Sequence, residues 1–263
     1  MVEENYKPRV AFTGNTKLTF KCMKAISEYA TIVSVFGLSD ENLKGKTNHV
    51  HLDDYCSANN IQLFKSENWN QFSNHCNASG VDAIITMGDS RIIPRHVIDC
   101  NYVIGNHGAI LPSVQGGASL VWGRLLDTGT WGISIMEIEE QVDSGDILIT
   151  KQFSYDETCT EEQFVETCDD LTVEALIDVV KGNYTKTKNK KYDVRISKHT
   201  DSEIAVKIMR TCLENGLCVY MPPRTPDDGE LKNKWSEDFK SVFKIAQNHP
   251  YPIYTTNLER ITS

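Results

Sequence analysis

The first half of the chain alternates short apolar runs with segments of helical periodicity. Residues 9–14 are an apolar run that ends in glycine, and residues 16–30 then carry apolar side chains every three or four positions. Such runs are typical of buried strands, and such segments predict amphipathic helices. The alternation continues with apolar runs at 30–38, 61–64, 81–88 and 101–106 and with helical segments at 52–60, 67–79, just after Pro94, and 117–129. Strands that alternate with helices become parallel strands joined by crossovers, so the pattern predicts an α/β, Rossmann-like, mostly parallel sheet flanked by helices.

The second half of the chain changes from this alternation to a different organisation. Apolar runs at 132–140 and 146–153 predict two further strands, and the capping-box spacing of Thr160 and Gln163 predicts the start of a long helix. A polar, basic stretch follows, which is typical of a solvated connector, and the residues after it show one helical pattern and are too few for a large core. We expect a main domain over 1–182, the connector over 183–198 and a small C-terminal extension over 199–263.

Composition and charge indicate an ordinary globular protein without a polyanionic partner. Of the 263 residues 40% are hydrophobic, and 36 acidic against 27 basic residues give a formal net charge of -9. Nucleic-acid binding takes its affinity from lysine and arginine neutralising phosphates, so we expect no nucleic-acid partner. The charged N-terminus lacks the apolar core of a signal peptide, and no apolar run approaches the roughly 18 residues of a membrane span. We expect a cytoplasmic protein with no membrane partner.

Cysteine and histidine spacing gives little support to a metal site. The eight cysteines contain no C-x-x-C pair, and His49 and His51 have no third ligand close by in the sequence. Reduced, mostly buried thiols and no bound metal are therefore the expectation.

Two residues suited to acid–base chemistry lie at predicted strand ends. The first turn, TGNT at 13–16, has neither of the glycine patterns that bind dinucleotides or nucleoside triphosphates. Ligands of parallel sheets still bind beyond the carboxyl ends of strands, and His107 comes shortly after an apolar run at 102–104. Asp143 lies in a turn one helix and one strand further along. An imidazole oriented by a carboxylate suits proton exchange near neutral pH, while each residue alone also fits a structural role, a satisfied histidine or a D-S-G turn.

The segment NHGAILPSVQGGASLVWGRLLDTGTWGISIMEIEEQVDSGDIL, residues 106–148, contains an ordered set of motifs. After His107 come Leu111-Pro112, Gly116, Trp122, GISIM at 132–136 and DSGDIL at 143–148. In this order the segment resembles the core of the folate-dependent formyltransferases, which act on methionyl-tRNA, glycinamide ribonucleotide or nucleotide sugars. The resemblance extends over about residues 8–180 and is strong after residue 81.

The resemblance implies transfer of a formyl group from N10-formyltetrahydrofolate to an amine. A neutral amine attacks the formyl carbon, an oxyanion develops on the formyl oxygen, and the attacking nitrogen loses a proton. His107 and Asn106 are then expected to stabilise the oxyanion, and Asp143 to orient His107 and accept the proton. The folate is expected to contact Asp143 together with apolar and glycine residues: Met87, Gly88, Ile110, Leu111, Gly132 and Ile133. The acceptor is expected to contact Gly14, Ser90, Arg91 and Gln115.

Three positions depart from the family pattern. Gln115 stands where the family has an arginine, Gly108 follows the histidine, and the asparagine of the family's N-x-H motif is shifted by one position to Asn106. In a regular strand Asn106 points away from the face of His107 and bonds nearby backbone, whereas a bulge allowed by Gly105 and Gly108 turns it back. If Asn106 proves dispensable, Gly105→Asn restores the family spacing and is expected to raise the rate.

The extent and charge of the chain favour a sugar-linked amine as the acceptor. The tRNA enzymes of the family carry an additional basic domain, whereas the nucleotide-sugar enzymes have a C-terminal piece that aids dimerisation. The stretch MGDSRIIP at 87–94 is also similar to their G-W-x-R-x-[IL]-P segment. The resemblance therefore implies a nucleotide-sugar acceptor and a homodimer, with lysines 186, 188, 190 and 191 either assisting a diphosphate or lining a solvated linker. The alternatives are a glycinamide-ribonucleotide-type enzyme, a formyltetrahydrofolate hydrolase, and a silent homologue that binds folate or a nucleotide sugar.

Overall fold

The computed structural model describes residues 6–44, 48–66 and 68–246. The strands, in chain order, are β1 (Arg9–Thr13), β2 (Thr31–Gly37), β3 (Gln62–Lys65), β4 (Ala83–Thr86), β5 (Val103–His107), β6 (Val114–Gly116), β7 (Thr130–Glu137), β8 (Ile147–Ser154), β9 (Val194–Arg195) and β10 (Val219–Met221). The helices are α1 (Lys17–Ile26), α2 (Asp40–Leu43), α3 (Asp53–Ala58), α4 (Trp69–Ala78), α5 (Arg95–Cys100), α6 (Ser119–Leu126), α7 (Glu161–Val180), α8 (Ser202–Glu214) and α9 (Glu237–Ala246).

Seven of the strands form one sheet in the order β3-β2-β1-β4-β5-β7-β8. The pairs β1–β2, β1–β4, β2–β3 and β4–β5 are all parallel. The predicted α/β fold with a mostly parallel sheet is confirmed. Because parallel strands end at the same edge of a sheet, β1 and β4 lead there into Gly14 and Met87, and β5 ends there at Asn106 and His107.

The chain divides into two compact units. The first comprises residues 1–106, 135–149 and 172–188, and the second comprises 107–134, 150–171 and 189–263. These limits differ from the domain boundaries expected from the sequence, because residues beyond 188 pair with strand β6 instead of forming a separate extension. The assignment of functional domains at 182 and 198 stays a prediction.

The first unit has an aromatic and aliphatic core that fixes its strand ends. Phe36 and Phe72 stack with ring centres 4.9 Å apart, and Trp69 packs on Phe36 at 4.5 Å. The buried members of this cluster are Ala11, Phe36, Phe72, Cys76, Ile84, Ile93, Val97 and Val103. Burial of large aromatic rings dominates the energetics of such cores, so packing in this cluster holds β2, β4 and β5 in place.

The second unit contains a small parallel sheet that the sequence did not predict, in the order β6-β10-β9. Helices α8 and α9 both pack on α6. Trp122 on α6 donates its indole N–H to the Pro222 carbonyl at 3.1 Å, and Arg210 on α8 donates to the Leu126 carbonyl at 2.9 and 2.7 Å. The expectation of one helix after residue 198 is corrected, since the described residues there form α8, β10 and α9; residues 247–263 of the expected extension lie outside the described residues.

The basic connector is more ordered than a solvated linker. Backbone hydrogen bonds join Ile147 and Thr187 in both directions, at 2.9 and 2.8 Å, and residues 194–195 form β9. Three of its lysines form ion pairs within their own units: Lys186 with Glu137, Lys188 with Asp146, and Lys190 with Asp193. Their engagement with carboxylates makes these lysines poor candidates for holding a diphosphate.

Two further expectations concern the whole chain. Six of the eight cysteines are buried, as the sequence predicted. Among the described helices, none has both the length and the apolar character required to cross a membrane.

Candidate active site

His107 is the last residue of β5 and is buried, with 6% of its surface exposed. Its Nε2 lies 2.9 Å from the Val114 carbonyl oxygen, within the second unit. A carbonyl oxygen only accepts hydrogen bonds, so Nε2 is the donor and carries a proton. The end of β5 thus holds an imidazole in a fixed orientation.

Asn106 precedes His107 and belongs to the first unit. Its Oδ1 accepts a hydrogen bond of 3.1 Å from the backbone N–H of Gly88. The register of β4 against β5 is uninterrupted from Val103 to Gly105, and Asn106 lies just beyond the last paired residue. Because Gly88 fixes the oxygen, the amide nitrogen of the half-exposed Asn106 points elsewhere, and it has no hydrogen-bond partner among the described residues.

The loop after β4 is tied to helix α1. Met87 is fully buried, and its carbonyl accepts a hydrogen bond of 2.5 Å from the Thr19 hydroxyl. Gly88 has a φ of +67°, and a Cβ at this position would overlap the Thr16 hydroxyl. Glycine is required for both reasons, and the two threonines, which the sequence did not single out, position the amide that binds Asn106.

Arg91 is braced by its own loop and by the end of β2. Its Nε and Nη2 contact the Asp89 carboxylate at 2.7–3.1 Å, and Nη2 also donates to the Phe36 carbonyl at 2.7 Å. The guanidinium lies 4.7 Å from the Phe36 ring centre and 5.3 Å from that of Trp69, a cation–π arrangement. Most of its donors are used within the protein, whereas Ser90 is exposed. Contact of either residue with an acceptor stays a prediction.

Asp143 lies in a tight turn of the first unit between β7 and β8. It is 9% exposed and has a φ of +54°, a conformation that aspartate tolerates better than most residues. A Cβ on Gly145 would overlap the Glu137 carbonyl, and the Glu137 N–H donates to the Asp146 carbonyl at 2.9 Å. The D-S-G turn therefore presses against the end of β7 and holds Asp143 in a buried position.

Residues 109–111 and 132–134 form an interlocked part of the second unit. Ser134 Oγ donates to the Ala109 carbonyl at 2.9 Å and accepts from the Leu111 N–H at 3.0 Å. A Cβ on Gly132 would lie 3.0 Å from Ile110 and would overlap the Lys151 carbonyl. The expected folate residues Ile110, Leu111, Gly132 and Ile133 are thus brought together. Ser134 was missed as a bracing residue, although it lies inside the GISIM run.

Gln115 and Gly14 serve the fold at the positions where acceptor contacts were expected. Gln115 is 1% exposed, and its amide nitrogen donates to the Lys190 carbonyl at 2.6 Å and the Pro112 carbonyl at 3.4 Å. Gly14 has a φ of +102°, and its N–H donates to the Phe36 carbonyl at 3.0 Å. Both placements favour a structural role, so a direct contact with the acceptor stays a prediction for each.

One group of possible metal ligands occurs among the described residues. The ligand atoms of Asp40, His51 and Asp53 lie within 4.8 Å of one another, and all three residues are exposed. The ammonium of Lys65 contacts both carboxylates, at 2.7 and 2.6 Å. The lysine thus offsets one of the two carboxylate charges of this cluster.

Comparison with known sequences places these features in a family. Residues 11–180 match the profile of the family described as formyl transferase. A curated relative, the methionyl-tRNA formyltransferase of Fusobacterium nucleatum, is 28% identical over 257 residues, which cover 95% of this chain and 76% of that protein. Further bacterial methionyl-tRNA formyltransferases are matched over 38% to 65% of their own length.

Solved structures show the same fold. The N-formyltransferase from Helicobacter canadensis, in complex with folinic acid and dTDP-3-aminofucose, has a TM-score of 0.67 at 12% identity, covering 97% of this chain and 86% of that one. A sugar N-formyltransferase from Shewanella has a TM-score of 0.63 at 14% identity, covering 98% and 97% of the two chains.

Proposed function

Because the chain belongs to the formyl transferase family, we propose that it moves a formyl group from N10-formyltetrahydrofolate to the amino group of a nucleotide-linked amino sugar. The observation that carries the formyl-transfer chemistry is the buried His107, held at a strand end through Nε2 and flanked by an asparagine whose amide nitrogen is an available donor. Preorganised donors of this kind, aimed at the developing oxyanion, commonly contribute more to the rate of acyl transfer than any other single effect.

His107, Asn106 and Asp143 each have a role in the proposed reaction. The acceptor amine attacks the formyl carbon while charge develops on the formyl oxygen, which His107 and the Nδ2 group of Asn106 stabilise. Asp143 orients His107 and accepts the proton that the amine nitrogen loses, directly or through water. The tetrahedral intermediate then collapses: the bond between the formyl carbon and N10 breaks, and the departing nitrogen of tetrahydrofolate takes up that proton. The backbone around Met87, Gly88 and the 110–111 and 132–133 stretches holds the pterin ring.

Two observations support a nucleotide-sugar acceptor. A net charge of -9 disfavours a polyanionic acceptor, and the two sugar N-formyltransferases share the fold over nearly the whole chain. A second candidate is methionyl-tRNA, which the name of the Fusobacterium relative favours. A glycinamide-ribonucleotide-type acceptor and hydrolysis to formate use the same residues with another amine or with water as the nucleophile.

The experiment offers the purified protein and formyltetrahydrofolate a panel of amino-sugar nucleotides, methionyl-tRNA, glycinamide ribonucleotide or no acceptor, and measures formylated product and formate. We expect formylation of an amino-sugar nucleotide and a loss of about 100-fold or more in turnover for His107→Gln and Asp143→Asn. Asp146→Asn, in the same turn but paired with Lys188, is the control and should retain turnover. Preference for methionyl-tRNA would reverse the choice of acceptor, and full activity of both site variants would contradict the mechanism.

A further inference from the structure

One face of the small sheet and the segment before β9 carry two tyrosines and two cations, Tyr192, Tyr220, Arg195 and Lys191, which together are called the tyrosine platform. Tyr220 lies opposite Arg195 in the register of β10 against β9, so their side chains share one face. The Arg195 guanidinium lies 4.8 Å from the Tyr220 ring centre, and the two tyrosine rings are 5.0 Å apart at 51°. The Lys191 ammonium lies 5.7 Å from the Tyr192 ring centre. The rings are half-buried and the two cations are exposed.

The segment that carries the platform is fixed on both sides. Gln115 donates to the Lys190 carbonyl at 2.6 Å, next to Lys191. Asp193 donates its N–H to the Cys218 carbonyl at 2.8 Å and accepts the Cys218 N–H at 2.8 Å. Because these contacts lie on both sides of Tyr192 in the sequence, the backbone that carries its ring is held in place before any ligand arrives. Preorganisation of this kind reduces the entropy that binding costs.

The platform is a basic patch on an acidic chain. Residues 189–198 contain four cations, Lys190, Lys191, Arg195 and Lys198, against one carboxylate, Asp193. Asp193 already pairs with Lys190 at 2.8 Å. In the part of the chain that the structure describes, neither Lys191 nor Arg195 takes part in an ion pair. The local charge therefore attracts an anion although the protein as a whole repels one.

We propose that the tyrosine platform binds the nucleoside diphosphate moiety of the acceptor, with the base stacked on the Tyr192–Arg195 surface and the phosphates paired with Arg195 and Lys191. Aromatic rings and guanidinium planes stack on any nucleobase, and arginine pairs with phosphate in a bidentate geometry. This proposal rests on the nucleotide-linked acceptor proposed above.

The platform lies beside β6, the strand whose Val114 carbonyl binds His107. The carbonyl that binds His107 Nε2 belongs to Val114 on β6, and the next residue, Gln115, is the register partner of Tyr220. Val114 and Tyr220 therefore lie on adjacent strands of one unit, β6 and β10. Neighbouring strands are about 4.8 Å apart. A ligand anchored by its nucleotide on β10 and β9 therefore has its remaining portion close to β6.

The test measures binding of free uridine and thymidine diphosphates to the full chain by calorimetry, without folate or amine. We expect Tyr220→Leu and Arg195→Met each to weaken binding by about tenfold or more. Arg195→Met should also reduce the dependence of affinity on salt, because a phosphate contact is lost. Tyr184→Leu, at an exposed tyrosine of the first unit, is the control and should bind normally. Melting curves identify a variant that fails to fold, and the exposed Arg195 provides a change outside the core.

Several outcomes would overturn the platform as a nucleotide site. These are unchanged affinity in both variants, inorganic pyrophosphate binding as tightly as the nucleoside diphosphates, and a short single-stranded RNA binding more tightly than either. The outcome is separable from that of the proposed function, because transfer is assayed independently. Diphosphate binding that depends on Tyr220 and Arg195 supports the platform even if no amine is formylated, whereas formylation without such binding overturns the platform alone.

Discussion

Gly105 allows neighbouring side chains to close over the end of β5. A Cβ at this position would lie 2.7 Å from both Ile138 Cδ1 and Thr86 Cγ2, closer than real Cβ atoms approach their neighbours. Returning the family's asparagine to this position therefore forces both neighbours to move. The expectation that Gly105→Asn raises the rate is revised for this reason, and Asn106, oriented by Gly88, becomes the residue to test for oxyanion stabilisation.

At the residue scale we predict that Gly105→Ala lowers the free energy of unfolding by about 1–3 kcal/mol, the usual cost of overpacking. Ile138→Val removes the clashing Cδ1 atom. The double variant should lose clearly less unfolding free energy than the sum of the losses in the two single variants, since the contacts are shared. Urea unfolding of the four proteins measures this coupling. Strictly additive losses would show that the clash is absent.

At the scale of elements, the start of α7 encloses a charged pair. The guanidinium of Arg124 on α6 lies 5.0 Å from the ring centre of Tyr155 and 5.2 Å from that of Phe164, and it donates to the Cys159 carbonyl at 2.9 Å. Its Nε is 3.5 Å from Glu161 Oε2, without hydrogen-bond alignment. Burial therefore raises the pKa of the Glu161 carboxyl to about 8, and attraction by Arg124 offsets only part of that effect.

The raised pKa of Glu161 predicts that the free energy of unfolding falls as the pH rises. In the unfolded chain Glu161 titrates near 4.5 and in the folded protein near 8, so its contribution is complete below about pH 4.5 and is lost up to about pH 8. Relative to Glu161→Gln, the wild-type unfolding free energy should decline by up to about 1.4 kcal/mol per pH unit in that window. Glu162→Gln, an exposed neighbour, should retain the wild-type slope. Denaturant unfolding at pH 5, 6, 7 and 8 measures both, and parallel curves for wild type and Glu161→Gln would refute the prediction.

At the scale of the whole molecule, the elements that could be predicted from the sequence are those with a hydrophobic periodicity of their own. The strands of the large sheet and helix α7 each carry their own pattern, and the Thr160–Gln163 capping box is present with hydrogen bonds of 2.9 and 3.2 Å. The small sheet was missed because its strands have two or three residues and join Val114 to Val219, far apart in the chain. His107 and Asp143 could be singled out because they belong to ordered motifs, and their catalytic roles stay predictions. The bracing of Gln115 and Arg91 could not, since their partners include backbone carbonyls that leave no trace in residue type.

The small sheet also yields a prediction about how closely the C-terminal residues must pack. A Cβ on Gly116 would overlap the Met221 backbone, and its φ is +100°. Gly216 also has a positive φ, +68°, but no atom lies within 4 Å of a Cβ there. Gly116→Ala should therefore lose about 1–3 kcal/mol more unfolding free energy than Gly216→Ala, since both bear the backbone strain and only one bears the overlap. Thermal and urea unfolding compare the two, and equal losses would argue against the close approach of β6 and β10.

The pairing of β6 with β10 can form only late in synthesis, because β10 is translated long after β6. Gly116 leaves the site of synthesis well before its register partner Met221 exists. At roughly 5–20 residues per second, the intervening stretch takes on the order of 5–20 s to translate. During that interval the edge of β6 is unpaired, and Trp122 lacks the Pro222 carbonyl that receives its N–H. The nascent chain thus presents an open strand edge and an indole whose partner is still unmade, the features that chaperones recognise and that promote association between unfinished chains.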